Sequence, residues 1–280
     1  MKPARFYCGV FLVTASGLML QIVQTRILSV VLWYYLAFLV ISIAMFGITA
    51  GTVWVYLRRG RFSERTLSHD LTYFTTLLAV AIALCGIVQT TLAPVDSVVG
   101  TRLFVWFELA TCLTLPFFLS GVVVSLALTR SPFPVGRVYG VDLAGAAAGC
   151  LGALTLLNLT DGPSAVLWVS AITALGAIAF AGSGIGGKPA TRLPFAVPFQ
   201  YVKLIFVVLV LGAAFNSITG QGIEPLVIKG KLETTADKPL FTKNGIASRG
   251  SRPATLGFGP PVCGVNLRLT DPQIGRSSNA

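Results

Sequence analysis

The stretch Val31–Leu57, VLWYYLAFLVISIAMFGITAGTVWVYL, decides the class of this protein. It contains no Asp, Glu, Lys, Arg or His, and Arg58-Arg59-Gly60-Arg61 follows at once. A helix of about 20 largely apolar residues crosses the hydrocarbon core of a bilayer. Trp33, Tyr34 and Tyr35 sit near one end and Trp54 and Tyr56 near the other. Aromatic rings of this kind belong at the two membrane–water interfaces. Working outward, the same rule marks six more spans, at about Phe6–Ile27, Leu71–Leu92, Leu103–Leu128, Val138–Leu159, Pro163–Ala181 and Phe199–Thr219. The expected fold is an all-α, multi-pass transmembrane bundle of seven spans over residues 1–219.

Composition agrees. The chain has 280 residues, of which 54% are hydrophobic and 11% charged. Its mean hydropathy is +0.80. A soluble domain carries roughly 25% charged residues. The deficit excludes an ordinary soluble enzyme and a disordered chain. The basic excess, 21 Lys+Arg against 10 Asp+Glu, would suggest nucleic acid in a soluble protein. Here it reads as the positive-inside bias of membrane loops, and no nucleic-acid partner is expected. With the N-terminus inside, the cytoplasmic side holds Lys2, Arg5, Arg58, Arg59, Arg61, Arg65, Arg130, Arg137, Lys188 and Arg192. The other side holds Arg26 and Arg102. Lys2 and Arg5 precede an apolar run without a clear small-x-small cleavage site, so the first span reads as uncleaved.

The seventh span is the least secure. It contains Lys203, and Pro194 and Pro198 precede it. Lys203 can snorkel to the inner interface. A six-span alternative lays this segment along the interface and keeps the tail inside. Residues 220–280 are rich in Gly, Pro, Lys and Arg and read as an irregular tail or a truncated linker. Within them, Glu224-Pro225-Leu226-Val227-Ile228-Lys229 has the composition of a short strand.

Familiar chemical signatures are weak. Cys8, Cys85, Cys112, Cys150 and Cys263 form no CxxC pair, and His69 is the lone histidine, in a polar loop. Neither a metal set nor a serine–histidine pair is expected. Gly182-Ser183-Gly184-Ile185-Gly186-Gly187-Lys188-Pro189 matches two phosphate-loop patterns by letter. Such loops follow a strand and open a helix. This one follows a span and reads as a cytoplasmic linker, so no cofactor is expected.

Gly47 with Gly51, and Gly145 with Gly149, form GxxxG pairs, extended around the second by Gly140 and Gly152. Such faces admit close helix packing, here read as packing within the chain rather than between copies. Ionisable and amide groups inside spans are costly unless paired or hydrated. Gln21, Gln24 and Arg26 lie toward the outer end of the first span, and Glu108 at a similar depth in the fourth. Asp142 lies near the inner end of the fifth. Gln21, Arg26, Glu108 and Asp142, together with Tyr35, are the candidates for lining a cavity for a cationic or zwitterionic substrate, with structural pairing as the plainer reading.

Two stretches carry a family resemblance. One is Leu20-Gln21-Ile22-Val23-Gln24-Thr25-Arg26-Ile27-Leu28-Ser29-Val30-Val31-Leu32-Trp33-Tyr34-Tyr35, continuing to Gly47. The other is Val138-Tyr139-Gly140-Val141-Asp142-Leu143-Ala144-Gly145-Ala146-Ala147-Ala148-Gly149-Cys150-Leu151-Gly152. Together they resemble the N-terminal membrane domain of spermidine synthase-like integral membrane proteins, over most of residues 10–230. In that family the spans precede a Rossmann domain resembling aminopropyltransferases, the enzymes of polyamine synthesis. The family often has Glu where Gln21 stands and His where Tyr35 stands. Glu224–Lys231 resembles its link to the catalytic domain, and Phe241–Gly245 a degraded version of the first strand region. No glycine-rich nucleotide loop follows.

The resemblance implies a module of a bacterial cytoplasmic membrane that anchors, or feeds substrate to, a transferase domain or subunit absent from this chain. No activity is expected of the chain alone. The alternatives are an amine-type transporter using Glu108 and Asp142 as countercharges, and an assembly subunit acting through its small-residue faces.

Overall fold

A computed structural model describes residues 2–31, 36–62, 66–91, 99–183, 199–219, 227–228 and 231–232. Seven helices long and apolar enough to cross a membrane follow one another, as the hydropathy pattern requires. They are α1 (Pro3–Val31), α2 (Leu36–Leu57), α3 (Leu67–Thr91), α4 (Val99–Arg130), α5 (Val135–Leu159), α6 (Gly162–Gly182) and α7 (Phe199–Thr219). A 3-10 turn, Arg59–Arg61, closes α2. After α7, β1 (Val227–Ile228) pairs antiparallel with β2 (Lys231–Leu232), Val227 opposite Leu232. The short strand expected within Glu224–Lys229 is therefore present, as one arm of a two-strand ribbon.

The helices form an inner and an outer set. Spans α1, α3, α4 and α6 are buried over half or more of their length, and α2, α5 and α7 over much less. Each outer helix leans on one inner neighbour above all: α2 on α4, α5 on α1 and α7 on α6. The core runs through Phe6, Val13, Leu78, Phe117, Val122 and Val169. Apolar side chains on the outer helices, such as Phe46, Leu151 and Leu211, face outward. Such outward faces suit contact with lipid rather than water.

Caps and turns fix the ends. Asp161 caps α6, its carboxylate accepting from the Ser164 amide at 3.4 Å, and Pro163 occupies the first turn, where its missing N–H costs nothing. At the other end of α6 the Phe180 carbonyl accepts from Ser68 Oγ at 2.9 Å, the Ser183 carbonyl from the Lys2 amide at 3.1 Å, and the Gly182 carbonyl from Arg5 at 2.9 Å. The start of α1, the start of α3 and the end of α6 therefore meet at one end of the bundle. Pro116 lies inside α4, a position tolerated in a span because neighbouring helices re-satisfy the freed backbone groups.

Helix α7 crosses the bundle alongside α6. Asn216 Nδ2 donates to Ser164 Oγ at 2.7 Å, and Trp168 Nε1 donates to Ser217 Oγ at 3.1 Å. The end of α7 is thereby pinned to the start of α6, across the bundle from Lys2. Val202 and Ala213, toward opposite ends of α7, are both buried. Seven helices long and apolar enough to span thus pack side by side, as the seven-span reading expects.

Candidate functional site

Two glycine-lined crossings hold outer helices to inner ones. On α2, a Cβ at Gly51 would overlap the Phe118 carbonyl oxygen of α4, and one at Gly47 would stand 2.9 Å from the Phe117 Cβ. Gly121 of α4 meets the Ile48 backbone in return. On α5, Gly145 packs on Phe11 and Thr14 of α1, Gly149 on Ala15, and Gly152 on the Met19 sulfur. Rising numbers on α5 meet rising numbers on α1, so these two helices run parallel. Gly140 belongs to the same small-residue stretch in sequence, but nothing stands within 4 Å of its would-be Cβ. Both GxxxG pairs are therefore spent on packing within the chain. Small residues act this way where no hydrophobic force separates helix from lipid.

Polar side chains inside the bundle mostly answer backbone carbonyls. Ser170 Oγ of α6 donates to the Ala79 carbonyl of α3 at 2.7 Å. Thr76 donates to Thr72 one turn back at 2.7 Å, and Thr173 likewise to Val169 at 2.9 Å. These bonds meet the cost of placing hydroxyls away from water.

The candidate residues are spread over the bundle. Gln21 and Arg26 lie on α1, half-buried and exposed respectively. Glu108 lies half-buried on α4. Leu28 and Leu109 share a small apolar cluster with Val40 and Leu113. Arg26 and Glu108 thus flank one junction of α1, α2 and α4. Asp142 lies half-buried on α5, one turn from Val138 and Gly145 on the face toward α1. Tyr35 falls outside the described residues. Glu108 precedes the arginine-rich end of α4 by ~33 Å of helix, whereas Asp142 stands only ~10 Å from the same end on α5. The two carboxylates are separated by roughly 20 Å in depth and do not share a site.

Three features of the bundle go beyond the sequence reading above. Gln24, rather than Gln21, is the enclosed amide: it is 4% exposed, and its Oε1 has no hydrogen-bond partner among the described residues. Asp70 is also buried, at the first turn of α3, where its Oδ2 accepts from Thr66 Oγ1 at 2.9 Å. An acid in a first turn complements the helix dipole, and that rule could have found it. Finally, Cys85 of α3 and Cys112 of α4 lie near one another, with Glu108 one turn before Cys112. Both thiols are free. No group of three or more potential metal ligands occurs among the described residues.

Cations gather at one end. Lys2 and Arg5 stand at the start of α1, Arg58–Arg61 at the end of α2, Arg130 at the end of α4 and Arg137 at the start of α5. Arg130 Nη2 donates to the Arg59 carbonyl at 2.9 Å, tying two of these helix ends together. The phosphate-loop letters begin at Gly182, the last residue of α6, where a helix stops rather than starts; residues 184–189 lie outside the described set.

The sequence matches no family model, and neither a curated protein nor a solved structure is significantly similar to it. What the observations establish is an all-helical membrane protein with seven candidate spans, an arginine-rich end and two internal glycine crossings.

Proposed function

We propose that this chain is a membrane anchor: a packed seven-helix bundle that lies in a bacterial cytoplasmic membrane with Lys2 inside and holds the segment after α7 at the outer face. The observation that carries the topology in this reading is the pairing of Asn216 with Ser164, which sets the end of α7 across the bundle from the arginine-rich end. Lys and Arg favour the cytoplasmic side of short loops. The resemblance of Leu20–Gly47 and Val138–Gly152 to spermidine synthase-like membrane domains supplies the kind of cargo, an aminopropyltransferase-type domain or subunit. With the tail outside, a cytosolic transferase would have to dock on the arginine-rich end rather than hang from the tail.

The transport reading needs Glu108 and Asp142 on one water-filled path, and their separation in depth disfavours it. The assembly reading needs the Gly145–Gly149 face free, and α1 covers it. The test is a phosphatase reporter, active only outside the cytoplasm, fused after Gly220. Activity in a fraction that resists carbonate washing is the expected result. An inactive reporter in a stably inserted protein contradicts the proposed orientation.

A further inference from the structure

The end of α2 concentrates charge in a way the anchor role does not use. Arg58, Arg59 and Arg61 are exposed on a single turn. Arg130 arrives from α4 and donates to the Arg59 carbonyl at 2.9 Å. The backbone thus holds a fourth guanidinium against three like charges, whose mutual repulsion an anion would relieve. Arg61 acts on the buried Asp70. Arg58, Arg59 and Arg130 form no ion pair with a carboxylate among the described residues; Glu64 of the adjoining loop lies outside them.

The guanidiniums are also oriented. Arg58 stands 6.0 Å from the Trp54 ring centre, and Arg59 stands 5.2 Å from that of Tyr56. Below them the outward side of α2 presents Phe46, Val53, Tyr56 and Leu57, each exposed. Charge at the end of a spanning helix and hydrocarbon along its outward side match the two halves of one molecule.

We propose that Arg58, Arg59 and Arg130 bind the phosphate of an anionic glycerophospholipid whose acyl chain lies along the outward side of α2. A basic pocket between spans is the arrangement that selects acidic headgroups, and each arginine near the surface is worth roughly fivefold in affinity. A free phosphate shares the headgroup chemistry but cannot use the apolar side. The lipid is therefore the occupant that accounts for both features.

The test uses the full-length protein, purified and delipidated in a mild detergent. Phosphatidylglycerol, phosphatidylethanolamine and inorganic phosphate are titrated separately. Bound lipid is read by native mass spectrometry, and stability by the unfolding midpoint. Phosphatidylglycerol should bind and raise the midpoint, and the other two should not. Arg59→Gln combined with Arg130→Gln should weaken phosphatidylglycerol binding about 25-fold. Arg137→Gln, at the same end on α5, should leave it unchanged. If the double variant does not fold, Arg58→Gln should still lower binding roughly fivefold. Equal binding of phosphatidylethanolamine, an equal shift with phosphate, or wild-type binding by the folded arginine variants would each overturn the proposal.

Discussion

Helices α6 and α7 lie side by side and have the same mean hydropathy, yet 61% of one span is buried and 17% of the other. Their difference is in size of side chain. Helix α6 has six alanines, three glycines and two serines among its 21 residues. Helix α7, of equal length, has two alanines, one glycine and one serine, and its bulk is Val, Leu, Ile and Phe. In a bilayer, hydropathy decides that a helix inserts. It does not decide whether the helix ends up among helices or among lipids, because the two surroundings are equally apolar. Small and hydroxylated residues allow close approach on several sides at once, and α6 uses them against α1, α3 and α7. Helix α7 has its small residues in one patch near Ala213, and there it meets Leu167 and Ala83.

The contrast can be broken by adding volume where approach is close and where it is not. The largest effect is expected at Gly51, on the covered face of outer helix α2. Gly51→Leu would drive a side chain into the Phe118 carbonyl, and should cost more than about 3 kcal/mol, since backbone cannot yield as a side chain does. It should be read as loss of folded protein after extraction. Ala177, fully buried on α6, comes next: Ala177→Leu should cost about 1–3 kcal/mol by overpacking. The matched change on α7, Gly212→Leu, meets open space and should stay within about 0.5 kcal/mol. Equal losses at Ala177 and Gly212 in unfolding midpoint would erase the inner–outer distinction.

Smaller effects sharpen the α6–α7 contact itself. Asn216→Leu removes the bond to Ser164, and should cost up to about 1.7 kcal/mol, the upper end for interhelical bonds in membranes. Ser217→Ala removes the hydroxyl that accepts from Trp168 Nε1, and should cost about 0.6 kcal/mol. Denaturant titration in detergent resolves the order of the two.

The same distinction explains what the sequence made legible. All seven spans could be read, because span length and hydropathy are local properties. The glycine pairs could be read as packing faces, because Gly47 and Gly51 fall one turn apart on any helix. Which helix each face meets is a tertiary fact, and so is the rotation of α1 that encloses Gln24 and leaves Gln21 half-buried. Asp70 was missed because the apolar run suggests a start at Leu71, whereas α3 begins one turn earlier, at Leu67. The meeting of Cys85 and Cys112 joins residues on two different helices, and no spacing along one chain segment encodes it. Glu108 and Asp142 stand out in sequence by their rarity in an apolar run, and their opposite depths could be read as well, because position along a span is a local property.

The central claim is that the chain crosses the membrane an odd number of times, with α7 fully inserted. Single cysteines placed by Lys2→Cys and Thr219→Cys, in a background otherwise free of cysteine, test it most directly. Sealed vesicles of one orientation are treated with a membrane-impermeant maleimide before and after permeabilisation. The account predicts that one of the two positions labels at once and the other only after permeabilisation. Labelling of both positions from the same side would contradict it.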